Sequence, residues 1–125
     1  MMLLSVEEVQ RLHAKLISKT GGSDGLRDIG LLESAVYSAN AGFDGYEIYS
    51  EIEQKAARLM YALVSNHAFV DGNKRIGTLV MLVTLKLNGI ELKFTQKELI
   101  NLALNVAKGY AAYDEILQFI NSHKQ

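Results

Sequence analysis

The stretch ARLMYALVSNHAFVDGNKRIGTLVMLVTLKL, from Ala57 to Leu87, decides how the chain folds. It holds two apolar segments around a short polar one. On the N-terminal side, Ile52, Ala56, Leu59, Met60, Leu63 and Val64 recur at the spacing of one helix face. On the C-terminal side, Ile76, Leu79, Val80, Met81, Leu82, Val83, Leu85 and Leu87 cover every side of a helical wheel. A helix apolar all round is one that neighbours bury all round. Its β-branched residues would also suit a strand, but the run is long and does not alternate, which favours a helix. The expectation is a central buried helix that ends before Asn88 and Gly89, with the preceding helix ending near Asn66.

Working outward, three Ser/Thr-x-x-Glu boxes mark helix starts: Ser5 with Glu8, Ser50 with Glu53, and Thr95 with Glu98. The first is followed by Val6, Val9, Leu12, Leu16 and Ile17, and the third by Leu99, Leu102, Ala103 and Val106, with Gly109 placed to stop that helix. Leu31–Ala39 and Tyr113–Ser122 read as two shorter helices. Residues Thr20–Asp28, TGGSDGLRD, read as a Gly-rich loop, and Ala41–Ser50 as a small hairpin or flap. IELKF, from Ile90 to Phe94, suits a short extended piece. With no repeat, linker or low-complexity tract, the chain is expected to form one all-α domain over residues 1–125, a bundle of about six helices with a small flap.

Composition narrows the function. The chain has 125 residues, 49% hydrophobic and 22% charged, values ordinary for a globular domain able to bury a core. A formal net charge of −1 sets up no global field that would draw the protein to nucleic acid or acidic membranes. Without cysteine there is neither a disulfide framework nor a thiolate zinc site. The N-terminus does not read as a signal peptide, and no apolar run is long enough for a bilayer span, so a cytoplasmic protein is expected.

The polar segment His67–Arg75 then requires an explanation. It combines an interhelical loop with the first turn of the central helix, where backbone N–H groups lack internal partners and the macrodipole is positive. Acidic residues favour that end, yet Lys74 and Arg75 occupy it, each unfavourable by a few tenths to about 1 kcal/mol. An anion in the site would reconcile them. Free N–H groups, Lys74, Arg75 and a glycine at Gly72 that allows close approach suit a phosphate chain. Each residue also has a plainer role: Asp71 as a helix N-cap, Gly72 and Asn73 as a tight turn, Lys74 and Arg75 as a solvated face. Phe69 is read as the anchor of the loop in the core. Neither His13 nor His123 lies at metal-ligand spacing from His67. The G-x-x-x-x-G-K-[ST] loop, the dinucleotide fingerprint, the H-R-D and D-F-G kinase signatures, H-E-x-x-H and G-x-S-x-G are all absent.

The run His67-Ala68-Phe69-Val70-Asp71-Gly72-Asn73-Lys74-Arg75 resembles the H-x-F-x-[D/N]-[G/A]-N-K-R motif of the Doc ("death on curing") branch of the Fic/Doc family. The likeness extends to SVEEVQRLH (Ser5–His13) and GGSDGLRDIGLLESAV (Gly21–Val36). It implies an all-helical Fic-type fold and the toxin of a toxin–antitoxin system. It also implies a kinase that moves the γ-phosphate of ATP, with Mg²⁺, onto a Ser/Thr hydroxyl of elongation factor Tu or another translation factor, which stops translation. By the same resemblance His67 is the general base, and Asp71 binds the metal or orients the phosphates. Gly72, Asn73, Lys74 and Arg75 bind phosphate, with Lys74 also deciding the reaction, and the flap near Phe43–Tyr49 aligns the target.

This chain departs from typical Fic motifs at two positions: Ala68 stands for a proline and Lys74 for the second glycine of G-N-G-R. A lysine there fills the seat used for attack on the α-phosphate, which favours phosphoryl transfer over AMP transfer. An adenylyltransferase, or an inactive partner-binding module, is the alternative. The chain also lacks the family's inhibitory [S/T]-x-x-x-E-[G/N] motif, so control by an antitoxin is expected, through a helical segment in an apolar groove.

Overall fold

A computed structural model describes residues 1–125. Six α-helices follow one another: α1 (Val6–Thr20), α2 (Ile29–Tyr37), α3 (Ile52–Asn66), α4 (Asn73–Leu87), α5 (Gln96–Ala107) and α6 (Tyr113–His123). A 3₁₀ turn, Ser38–Asn40, extends α2, and a two-stranded antiparallel hairpin, β1 (Gly42–Phe43) with β2 (Tyr46–Glu47), precedes α3. The hairpin turns through Asp44 and Gly45, both at positive φ, as a tight two-residue turn demands.

Local sequence accounts for most boundaries. The Ser5–Glu8 and Thr95–Glu98 boxes form as expected, each hydroxyl accepting the N–H of its glutamate and each carboxylate accepting the N–H of its Ser or Thr. The Ser50–Glu53 box does not. Helix α3 is capped one residue later, where the Gln54 side chain accepts the Glu51 N–H at 3.0 Å. Glu53 is drawn instead to Lys124 at 2.9 Å, a partner at the opposite end of the chain. Helix α2 begins two residues before the expected start because the Asp28 carboxylate caps the Leu31 N–H.

Helices α3 and α4 are the central pair. One face of α3 (Leu59, Ala62, Leu63) packs with Ile76 and Val80 of α4 against α1 and α2, around Val9, Leu32 and Val36. The other face (Ala56, Met60, Val64) packs with Met81 and Leu85 against α5 and α6, around Leu102, Ile116 and Ile120. The two helices approach closely at Gly77, where an added Cβ would lie 2.7 Å from the Val64 side chain. Burial of α4 on every side is not reached: Leu79 and Leu82 are only half-buried beside a groove that α1 and α5 leave between them, and Val83 is half-buried beside the N-terminal segment. The hairpin is tied to α3 by a buried lysine, Lys55. Its ammonium donates to the Ala39 carbonyl (2.8 Å), Asn40 Oδ1 (3.3 Å) and Glu47 Oε1 (3.4 Å). IELKF is extended as expected, Leu92 bridging to Lys124 beyond α6. No helix is long and apolar enough to cross a membrane.

Candidate active site

The loop between α3 and α4 turns at two left-handed residues, His67 (φ 54°) and Gly72 (φ 78°), which leave α3 and enter α4 respectively. Between them Phe69 is buried. Its ring stacks on that of His13, with centroids 3.8 Å apart and planes 10° from parallel. Its backbone is held by one side chain: Asn73 Oδ1 accepts the Phe69 N–H (3.1 Å) and Asn73 Nδ2 donates to the Phe69 carbonyl (3.0 Å). The Gly-rich segment lies alongside. Arg27 and Asp28 donate their N–H groups to the Ala68 carbonyl, and Val70 donates to that of Gly25.

These constraints shape a cleft of about 410 Å³ lined by His67, Asp71, Gly72, Asn73, Lys74 and Arg75, with Val64, Val70 and Ala107 as its apolar wall. The structure thus brings every polar candidate to one place. The His67 imidazole is exposed and makes no hydrogen bond within the protein. Helix α4 has no side-chain cap, and the N–H groups of Asn73, Lys74 and Arg75 meet no acceptor in the protein. Lys74 is exposed and unpaired, whereas the other residues carry structural duties as well.

Arg75 serves the C-terminus of α1, its Nη1 donating to Thr20 Oγ1 (2.6 Å) and to the Gly21 carbonyl (2.7 Å). This resolves half of the charge anomaly: the guanidinium sits at the N-terminus of α4 and simultaneously at the C-terminus of α1, where a cation is favoured. Asp71 is not the N-cap, which is Gly72. Its Oδ1 accepts the Gly72 N–H (2.8 Å) and its Oδ2 the Ser23 N–H (3.1 Å). Those two N–H groups, Ser23 foremost, hold its carboxyl below the usual aspartate range, so it is ionised at neutral pH. The missing side chain of Gly72 faces inward, an added Cβ lying 3.0 Å from Ile17 Cδ1. The left-handed turn at φ 78° is by itself sufficient reason for a glycine here. Both polar atoms of the Asn73 side chain are spent on Phe69, which leaves its backbone N–H to face a ligand.

His13 is the residue that sequence reasoning passed over. It is buried under the loop, its Nε2–H donating to the Asp71 carbonyl at 2.7 Å, with Asp24 3.8 Å from Nδ1. Its place on the apolar face of α1, between Val9 and Ile17, was the available signal.

The model of the Fic/DOC family matches residues 3–85, two thirds of the chain and every polar residue of this cleft. The chain belongs to the Fic/Doc family. It is similar to the "Toxin Doc" of Mycolicibacterium smegmatis, with 42% identity over 72 residues covering 58% of the chain and 55% of that protein. It is also similar to the "Protein kinase doc" of Escherichia phage P1, with 32% identity over 106 residues covering 85% of the chain and 82% of that protein. The first of these matches spans little more than half of the relative, the second most of it. The Fic/Doc model ends inside α4, so α5 and α6, which complete the second half of the core, lie outside the matched segment.

Proposed function

We propose that the protein is the toxin of a toxin–antitoxin pair and acts as a protein kinase. It would transfer the γ-phosphate of ATP to a Ser or Thr hydroxyl of a translation factor, elongation factor Tu being the expected target. One observation carries this reading: the free imidazole of His67 opens into the same cleft as Lys74, Arg75 and the unpartnered N–H groups that begin α4. A base and an anion seat share one space.

In the reaction the imidazole accepts the proton of the target hydroxyl while its oxygen attacks the γ-phosphorus; the bond to the β-phosphate oxygen breaks and ADP leaves. Phosphoryl transfer asks chiefly for alignment and charge neutralisation. The first-turn amides of α4, the Lys74 ammonium and the Arg75 guanidinium supply both, and Gly72 and Asn73 hold the turn that presents them. Asp71 fits the expected role toward Mg²⁺ as a single ionised, half-exposed carboxylate. Magnesium is commonly bound by one or two carboxylates together with substrate phosphates, and no cluster of three His, Cys, Asp or Glu forms a cage here. When bound, Mg²⁺ would neutralise phosphate charge. The kinship with the phage kinase and the lysine at position 74 favour transfer of the γ-phosphate over AMP.

The groove left beside α4, about 640 Å³, is lined by Leu16, Leu79, Leu82, Leu99 and Ile100, with Lys74 and Arg75 at the end it shares with the cleft. An antitoxin helix with apolar residues at i, i+3, i+4 and i+7 suits it, placing acidic groups toward the two cations. The test is incubation with translation factors, Mg²⁺ and ATP labelled at either the α- or the γ-phosphate. Transfer of γ-label alone is expected. Transfer of α-label would establish AMP transfer instead, and no transfer with intact partner binding would leave a binding module.

A further inference from the structure

The backbone of His67 is gripped from outside the cleft. Nε and Nη2 of Arg27 both donate to the His67 carbonyl, Nε at 2.8 Å, and the Arg27 N–H donates to the next carbonyl, that of Ala68, at 2.8 Å. Arg27 does not line the cleft. It stands next to Asp28, the cap of α2, so its own backbone is anchored where a helix begins. Its guanidinium meets the C-terminal end of α3, where carbonyls lack helical partners and a cation is favoured. His67 occupies the left-handed region there (φ 54°, ψ 47°), which a residue with a β-carbon resists.

We propose that Arg27 is a positioning residue for His67, its guanidinium fork fixing the left-handed turn from which the imidazole enters the cleft. The inference rests on the reading of His67 as the base. The His67 ring makes no hydrogen bond of its own in the protein, so the direction of its Cα–Cβ bond, which the backbone dihedrals set, determines the region its rotamers can reach. Releasing the carbonyl lets the turn relax toward ordinary backbone and swings the ring away from the hydroxyl. A displacement of about 1 Å in such a group costs on the order of 10²-fold in rate.

The experiment compares wild type with Arg27→Gln and Arg27→Lys for kcat, KM and Kd of ATP, and for the imidazole ¹H–¹⁵N resonances of His67 in the free protein. With three histidines in the chain, His67→Ala assigns them. Arg27→Gln is expected to lower kcat by roughly 10²-fold with KM and Kd for ATP unchanged, and to shift or broaden the His67 resonances. Arg27→Lys, which returns one charged donor, is expected to recover part of both, and it serves as the folded comparison where Arg27→Gln is unstable. Loss of ATP affinity equal to the loss of rate would overturn the proposal by making Arg27 a phosphate ligand. Unmoved His67 resonances in both variants would overturn it as well. Should wild type transfer neither label, the base reading fails, while the resonances still decide whether Arg27 holds the turn.

Discussion

The imidazole of His13 and the ring of Phe69 lie face to face, 3.8 Å between centroids, and the same imidazole bonds the carbonyl of Asp71 at 2.7 Å. One buried side chain of α1 therefore supports both the middle and the far end of the loop that carries the candidate site. Together with Arg27 at the His67 end and Asn73 across the Phe69 backbone, it leaves the loop little freedom between its two left-handed hinges.

His13→Leu keeps approximate volume but removes the donor and the stack. Leaving the Asp71 carbonyl without its partner and losing the ring contact should destabilise the fold by about 2 kcal/mol. Urea titration measures this; a midpoint equal to wild type would show that the stack and bond carry no stability.

The two cations should separate. Lys74 has no partner, so Lys74→Ala should change stability by no more than about 0.5 kcal/mol while weakening nucleotide binding, a charge-assisted contact being worth roughly 1.5–3 kcal/mol. Arg75→Ala should weaken binding too, but also cost roughly 1–2 kcal/mol of stability, because it strips the donors from Thr20 and Gly21 at the end of α1. Calorimetric titration with ATP beside thermal melts of each variant decides the matter. From sequence, both cations are expected to be unfavourable at the start of α4 in the free fold; for Arg75 the contacts to Thr20 and Gly21 overturn that.

For His67→Ala the expected change is a drop in turnover of about 10²–10⁴-fold with ATP affinity held, since the proposed reaction has its imidazole take the hydroxyl proton. Equal loss of affinity and rate would make His67 a structural residue of the cleft.

Between α5 and α6, His123 Nε2 bonds Glu98 at 2.8 Å. Hydrogen bonds from His123 and from Thr95 lower Glu98 to about 2, and the same carboxylate raises His123 above its usual 6.5. The lowered carboxyl contributes stability above about pH 4.5 that is lost as pH falls toward about 2. The raised histidine contributes fully below 6.5 and loses its share as pH rises through its folded value. Between roughly pH 4.5 and 6.5 the pair is therefore at full strength. The stability advantage of wild type over His123→Gln should be largest in that window and shrink toward pH 9. Denaturant unfolding at a series of pH values tests the sign, and an advantage that grows with alkalinity would refute it.

What could be read in the sequence was what a few neighbouring residues determine. The Ser5–Glu8 and Thr95–Glu98 caps, the hairpin through Asp44 and Gly45, and the break between Asn66 and Gly72 all depend on hydrogen bonds or dihedrals within four residues. The motif from His67 to Arg75 is equally local, which is why its residues meet in one cleft. Some departures are local, such as the Asp28 cap that starts α2 early and Gly72 standing at the cap of α4, but the partners of the charged and aromatic side chains are long-range. The sequence marks Glu53 as a cap, but Lys124, 71 residues away, holds its carboxylate instead. Arg75 finds Thr20 at a separation of 55, His13 finds Asp71 at 58, and Arg27 finds His67 at 40. The half-open side of α4 likewise depends on how far α1 and α5 splay, which no apolar pattern within α4 can express. Backbone bonding is strong and short-range, so most helix boundaries and the loop that carries the candidate site could be read from neighbouring residues. The choice of partner for each charged or aromatic side chain waits on the packing of helices far apart in the chain, and no local pattern can express it.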